Sequence, residues 1–206
     1  MDKQLHWNTA YATRKENGLT WFEDTPKQSL DLIQTYATPQ DGVIDVGAGA
    51  SRVVDGLIAA GYKDITLLDI SATALDVTKT RLGADYATPT YLVTDVTRWH
   101  PMRKFQVWHD RAMLHFLTDE MSKEAYFGSM SAALATGGYA ILSTFAQEGP
   151  EKCSGLTVQR YSSKFLFETV DLEIRDAFEA VQDIQYMHKT PSGNLQAFQT
   201  LVLRKK

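Results

Sequence analysis

Short apolar runs alternate with amphipathic stretches along this chain. The pattern predicts an α/β protein: a doubly wound, largely parallel sheet with helices on both faces. Three observations carry that expectation. "VIDVG", "DITLLDIS", "TYLVTDV", "FQVWHDRA" and "YAILSTFA" have the length and apolarity of buried strands. Helix-period segments lie between most of them, so successive strands need crossover connections. The 206 residues, 44% hydrophobic and 22% charged, suit one domain (1–206) with a substantial core.

Residues 1–22 are rich in aromatics, Trp7, Tyr11, Trp21 and Phe22, and read as irregular. "TPKQSLDLIQTYA" reads as a helix: Thr25 caps it, Pro26 suits the first turn, and Leu30, Ile33 and Ala37 share a face. Residues 39–42 break the chain before the first strand. "SRVVDGLIAAG" is helical and stops at Gly61; "ATALDVTKTRLG" is helical and stops at Gly83. "TDEMSKEAYFGSMSAALATGG" predicts a long helix, capped by Thr118 or Asp119 and ended by Gly137 and Gly138. The pattern changes after Phe145. "QEGPEKCSGLTVQR" reads as a polar loop, "SSKFLFETV" as a short helix and "LEIRDAFEAVQD" as mixed. "LQAFQTLVLRKK" alternates as a strand should, and two final strands joined through "KTPSGN" would add an antiparallel hairpin. His188, near that turn, is expected at the surface.

Composition narrows the function. A formal net charge of −4 argues against general nucleic-acid binding. The lone Cys153 cannot form an internal disulfide, which fits a reducing, cytoplasmic setting. The start, "MDKQLHWNTA", has no apolar signal core. No apolar run approaches the roughly 20 residues that span a bilayer, so no membrane partner is expected. No metal site, repeat or low-complexity segment is expected.

Four predicted strand ends carry chemistry: Asp45 to Gly49, Asp69, Asp95, and His109 with Asp110. In a parallel sheet these ends share one edge, where doubly wound folds bind ligands. "GAGASR" nearly matches the dinucleotide fingerprint G-x-G-x-x-G, but Arg52 stands at the third glycine. Gly47 and Gly49 permit a tight turn and close backbone approach, with Ala48 between them. Asp69 can accept from two ribose hydroxyls. Asp95 can accept from an adenine amine, with Val96 against the ring. Asp45 can buttress the turn or reach a ligand ammonium through water. An acidic edge suits a cationic ligand and opposes a diphosphate.

"VIDVGAGAS", "LLDIS" and "VTDV" resemble motifs I, II and III of the class I methyltransferases that use S-adenosylmethionine. The resemblance covers about residues 25–206, leaving residues 1–24 as an aromatic lid or cap. It implies a Rossmann-like seven-stranded sheet of order 3-2-1-4-5-7-6 with strand 7 antiparallel. It implies S-adenosylmethionine as cofactor and S-adenosylhomocysteine as product, bound by Asp45, Gly47, Ala48, Gly49, Asp69, Ile70, Asp95, Val96 and His109. The N-terminal segment, "HDRAMLHFL" and "GPEKCSGLTVQRYS" are similar to bacterial members of uncharacterised substrate. More distantly, the chain is similar to methyltransferase-like enzymes that modify protein lysines.

The acceptor side is less defined by sequence. Asp110 stands where motif IV of these enzymes meets the acceptor, and His109 lines the cofactor or the acceptor. His115 is either a general base or a histidine starting a helix. Trp7, Tyr11, Trp21, Phe22, Arg111, Arg160 and Tyr161 are the candidate acceptor residues, each with an ordinary packing role as alternative. Cys153 is a packed thiol or a wall of the site and not a nucleophile. The expected reaction is direct methyl transfer to N, S or O of a small molecule. Alternatives are a protein-lysine methyltransferase, a non-catalytic cofactor-binding module and a nicotinamide dehydrogenase. "HDRA" lacks the Asn/Asp-Pro-Pro-aromatic pattern of enzymes acting on base amines, and no Pro-Cys nucleophile motif is present.

Overall fold

Seven strands form one sheet, and their residues split between two apolar layers by simple alternation. The computed structural model describes residues 2–206. The strands are β1 (Val43–Val46), β2 (Ile65–Asp69), β3 (Thr90–Val93), β4 (Phe105–Arg111), β5 (Leu134–Phe145), β8 (Phe178–Lys189) and β9 (Leu195–Lys205), with a separate small hairpin of β6 (Lys152–Cys153) and β7 (Leu156–Thr157). Their order is β3-β2-β1-β4-β5-β9-β8. The first five run parallel, and β9 is antiparallel to both β5 and β8. Counting sheet strands alone, this is the order 3-2-1-4-5-7-6 with strand 7 antiparallel.

The helices are α1 (Lys3–Thr13), α2 (Lys27–Tyr36), α3 (Val53–Ala59), α4 (Ala72–Leu82), α5 (Glu120–Ala133) and α6 (Ser163–Glu173). Ile44 and Val46 of β1 join Trp108, Ala140 and Leu142 against α5 and α6. Val43 joins Val107, Ile141 and Val202 against α2 and α3. Residues one apart on a strand face opposite layers. Both faces are buried, which is why these strands read as continuous apolar runs.

Four elements differ from the sequence expectation. Residues 3–13 are helical, with Asp2 capping Leu5 N. Trp7 and Tyr11, four apart, fall on one face, and α1 packs against α4. Thr25 does not cap α2; Pro26 holds that position with no side-chain cap. Helix α5 stops at Ala133, and residues 134–138 already belong to β5. A Cβ at Gly138 would stand 2.9 Å from both Ala135 O and Gln106 O. The glycine thus serves a bulged, close strand approach between Phe105 and Val107, and no helix stop. Finally, the polar loop contains the β6–β7 hairpin, turned by Ser154 and Gly155 at φ 50° and 80°. No helix of the described residues is long and apolar enough to cross a membrane.

Candidate functional site

Strand β1 ends in the glycine loop at the carboxyl edge of the sheet. Gly47 and Gly49 sit at φ 67° and 55°, a region that favours glycine. Asp69, at the end of β2, holds the loop: Oδ2 accepts from Gly49 N at 2.8 Å and Oδ1 from Ser71 N at 2.7 Å. Burial pushes this carboxyl up to about 6, the two amides pull it down, and the nearby Asp45 adds to the rise. Asp95, after β3, folds its own turn, accepting from Thr97 N and Oγ1.

Asp45 is buried beneath the loop. Its Oδ1 lies 2.6 Å from His109 Nδ1, and His109 Nε2 lies 2.9 Å from Ser29 Oγ. A proton on Nδ1 satisfies the whole chain of contacts, with Ser29 donating to Nε2. Asp45 Oδ2, equally buried, has no hydrogen-bond partner among the described residues. A buried carboxylate oxygen without a donor is expensive, and a ligand donor is one way to satisfy it.

Two cavities meet over this loop. The larger holds about 820 Å³ of space, its mouth included, and is lined by Gly47, Asp69, Ile70, Asp95 and Val96. The smaller, about 530 Å³, is lined by Asp45, Gly47, Ala48 and His109. Tyr11, Trp21 and Arg111 line both. Trp7 completes the roof of the larger cavity and Phe22 lines the smaller. The sequence-predicted cofactor residues are therefore brought together. Gly49 itself is covered by Tyr11, whose hydroxyl occupies the space a Cβ would take.

Residues 14–24 strap α1 down across the loop, and Arg52 explains its place at the third glycine position. Its guanidinium holds Glu16 at 2.6 Å and Asp24 at 2.9 Å. Arg81 takes the other oxygen of Glu16 at 2.6 Å, along with Asp55. Farther on, Arg111 donates to Trp21 O and to Glu23, both at 2.9 Å. His188 is buried here, against Glu23, Arg111 and Thr20 O, and not at the surface as expected from its neighbouring turn. The strap covers it, a long-range contact that no local pattern announces.

Other sequence candidates lie elsewhere. Asp110 points to the α5 layer, accepting from Met113 N, Leu114 N and the Tyr126 hydroxyl, and lines neither cavity. Strand parity puts it opposite His109 and Arg111. His115 is fully buried between Phe116 and Phe145, and its Nδ1 accepts from Phe145 N. Burial pushes it down to about 3. Neither side chain lines the cavities over the glycine loop. Arg160 bonds to Gly149 O and Glu151 on an outer groove, and Tyr161 is buried against Phe165. Conversely, Met113, Phe116 and Leu117, which follow β4, line the larger cavity without having been singled out. Their apolar run beyond the strand end was the available signal.

Cys153 also lines the larger cavity, and burial pushes its thiol up to about 12. The thiolate is the reactive form. Iodoacetamide at neutral pH should label Cys153 at least about a hundredfold more slowly than a free thiol. Labelling at the free-thiol rate, read by mass spectrometry, would contradict this burial.

The methyltransferase domain family matches residues 43–138, the glycine loop through the start of β5. The mouse (Mus musculus) eEF1A lysine and N-terminal methyltransferase is 29% identical over 117 residues, 56% of this chain and 17% of that protein. Ribosomal protein L11 methyltransferase from Staphylococcus aureus (strain JH1) is 32% identical over 130 residues, 60% of this chain and 38% of that protein. The chain thus spans less than two fifths of these curated relatives. Among solved structures, Burkholderia thailandensis 1,6-didemethyltoxoflavin-N1-methyltransferase, with its acceptor and S-adenosylhomocysteine bound, superposes with TM-score 0.69 at 18% identity. The match covers 88% of this chain and 77% of that one, and it shows the shared fold.

Proposed function

We propose that the chain, whose residues 43–138 match the methyltransferase domain family, is a class I S-adenosylmethionine-dependent methyltransferase that transfers a methyl group directly to an N, S or O atom of a small-molecule acceptor. One observation carries the reading: Asp45 Oδ2 is buried and unpaired beneath the glycine loop, on an edge shared with Asp69 and Asp95. That acidic edge suits a ligand carrying an ammonium, two ribose hydroxyls and an adenine amine.

The roles divide by position. Asp45 Oδ2 accepts from the amino-acid ammonium. Asp69 uses its remaining lone pairs on the ribose hydroxyls. Asp95, Val96 and Ile70 would hold the adenine. When bound, S-adenosylmethionine supplies a methyl on a sulfonium that is already a good leaving group. The protein then has to align the acceptor and exclude water, and the roof of Trp7, Tyr11 and Trp21 does both. The roof also favours a small acceptor over a protein chain. The names of the mouse and staphylococcal relatives point to protein substrates, and the acceptor assay below decides between the two.

The pH dependence of S-adenosylhomocysteine binding tests the role of Asp69. Its carboxyl titrates at about 6 in the free protein. A ligand held by the ionised form binds more weakly as pH falls through that value, by about tenfold per unit. Calorimetry between about pH 5 and 7.5 reads this, and Asp69→Asn should flatten the profile and lower affinity about tenfold or more. An unchanged profile would remove Asp69 from the ribose. The linkage to folding has the opposite sign. Folded Asp69 is harder to ionise than unfolded, so between 3.8 and about 6 its titration lowers stability as pH rises.

A further inference from the structure

The larger cavity crosses the sheet edge, and its two ends differ in chemistry. Over β2 and β3 it is acidic, with Asp69 and Asp95. Over β4 and β5 it is aromatic: Trp7, Trp21 and Phe116 line it. Trp7 meets Phe116 edge to face at 5.0 Å and 73°, and Trp21 at 5.8 Å and 80°. Rings set near right angles enclose a corner, where a flat guest can lie on one face and meet the edge of another.

Among the described residues, the side chains lining the same end offer nothing free to take a proton. Cys153 keeps its proton at neutral pH, its thiol pushed up to about 12 by burial. Burial also pushes the Tyr11 phenol well up, with Asp69 adding to the rise. A lysine ammonium such as Lys3, at the rim, and the guanidinium of Arg111 offer donors only. His115 stands behind Phe116, with its Nδ1 lone pair already taken by Phe145 N. Asp69 lies at the far, acidic end, its oxygens accepting from Gly49 N and Ser71 N. Among the described residues lining the aromatic end, no free base is present. A lysine or an alcohol arrives with a proton that must leave; a neutral ring nitrogen does not.

Resting on the methyltransferase reading, we propose that the acceptor is a flat nitrogen heterocycle, seated among Trp7, Trp21 and Phe116, that is methylated at an unprotonated ring nitrogen. The ring nitrogen's lone pair forms the new N–CH3 bond, and the methyl–sulfur bond breaks with its electron pair left on sulfur. The products are the N-methylated ring cation and S-adenosylhomocysteine, and no proton moves. Positive charge passes from sulfur to the ring, among the aromatic side chains of Trp7, Trp21 and Phe116.

The test uses the full chain, S-adenosylmethionine, isoquinoline as probe and a lysine tripeptide blocked at both ends as rival. S-adenosylhomocysteine binding is measured in parallel by calorimetry. Isoquinoline should be methylated at a rate that is flat from about pH 7 to 9, since no group needs to lose a proton in that window. The tripeptide should be slower by about tenfold or more. Phe116→Leu should raise the isoquinoline KM about tenfold, the value of one lost aromatic contact, with kcat and S-adenosylhomocysteine affinity little changed. Faster methylation of the tripeptide, a rate climbing with pH, or no product from either acceptor while S-adenosylhomocysteine still binds overturns the acceptor class and leaves the cofactor reading intact. Failure to bind S-adenosylhomocysteine removes both.

Discussion

Gly49→Val should abolish cofactor binding in a protein that still folds. Gly49 sits at φ 55°, and its missing Cβ leaves the space that the Tyr11 hydroxyl fills. A valine there has to leave the left-handed region or endure it, at about 1–2 kcal/mol. It also has to push Tyr11 off the loop, and the loop cannot move freely. Gly49 N is tied to Asp69 and Gly49 O accepts from Thr78 Oγ1 at 3.1 Å. Losing the charge-assisted bond to Asp69 adds about 1.5–3 kcal/mol. The sum is smaller than a typical folding free energy of about 5–15 kcal/mol, so the sheet should survive with a lowered Tm. The ligand loses both its backbone cradle and the placement of Asp69, and affinity for S-adenosylhomocysteine should fall more than about a hundredfold. Gly61→Ala is the control. Gly61 has φ 88° and open space around its Cβ position, so it carries backbone strain without a neighbour. It should cost about 1 kcal/mol and leave binding alone. Native affinity in a folded Gly49→Val protein would show that the loop is only a turn.

Why the cofactor edge was legible in the sequence, and the acceptor side less so, follows from the residues. Glycine positions, and acids closing buried apolar runs, are local signals, and a parallel sheet brings consecutive strand ends together whatever else the chain does. Asp45, Asp69 and Asp95 needed no tertiary information. Asp110 needed strand parity. In β4 both faces are buried, so "FQVWHDR" shows no alternation to say that His109 and Arg111 face the site while Asp110 faces Tyr126. A one-residue difference decided the role. Arg160, Tyr161 and His188 depended on long-range packing of the kind that sequence spacing does not encode.

Other misses had signals that were present but weak. Trp7 and Tyr11 stand four apart behind a capping Asp2, in a stretch otherwise too polar to show an apolar face. Ser154-Gly155 is a hairpin dipeptide hidden in a polar run. Gly137 and Gly138 looked like a helix stop because glycine has more than one use. The strand contact between Gly138 and Gln106 is visible only once the sheet exists.

Deleting residues 1–24 should leave a folded sheet that binds the cofactor weakly and transfers nothing. Neither of the two main core layers contains a residue from this segment. Its apolar contacts form smaller clusters, Tyr11 and Leu19 with Ala50 and Ala74, and Trp21 against Phe145, Cys153, Val158 and Phe198. Arg81 keeps Asp55 and the carbonyls of Ala50 and Ser51, while Arg111 loses Glu23 and Trp21 O and is opened to water as the roof goes. The cavity, by contrast, loses Trp7, Tyr11 and Trp21 together, and with them its roof and most of its aromatic end. Removal of two or more such walls should weaken S-adenosylhomocysteine about tenfold to a hundredfold. Water then reaches the transfer site, and the acceptor has nothing to lie against. Hydrogen exchange distinguishes a closing lid from a fixed wall. Beside the buried Leu19, the strap is held by ion pairs of Glu16, Glu23 and Asp24 at partly exposed positions, interactions that open more readily than a packed core. Its amides should exchange quickly in the free protein and slow markedly with S-adenosylhomocysteine, while those of β1 and β4 barely change. Glu16→Gln, which loosens the grip of Arg52 and Arg81 without removing a residue, should speed exchange in the strap and raise the cofactor Kd about threefold to tenfold. If the truncated chain unfolds and the strap is equally protected with and without cofactor, residues 1–24 are part of the core and no lid exists.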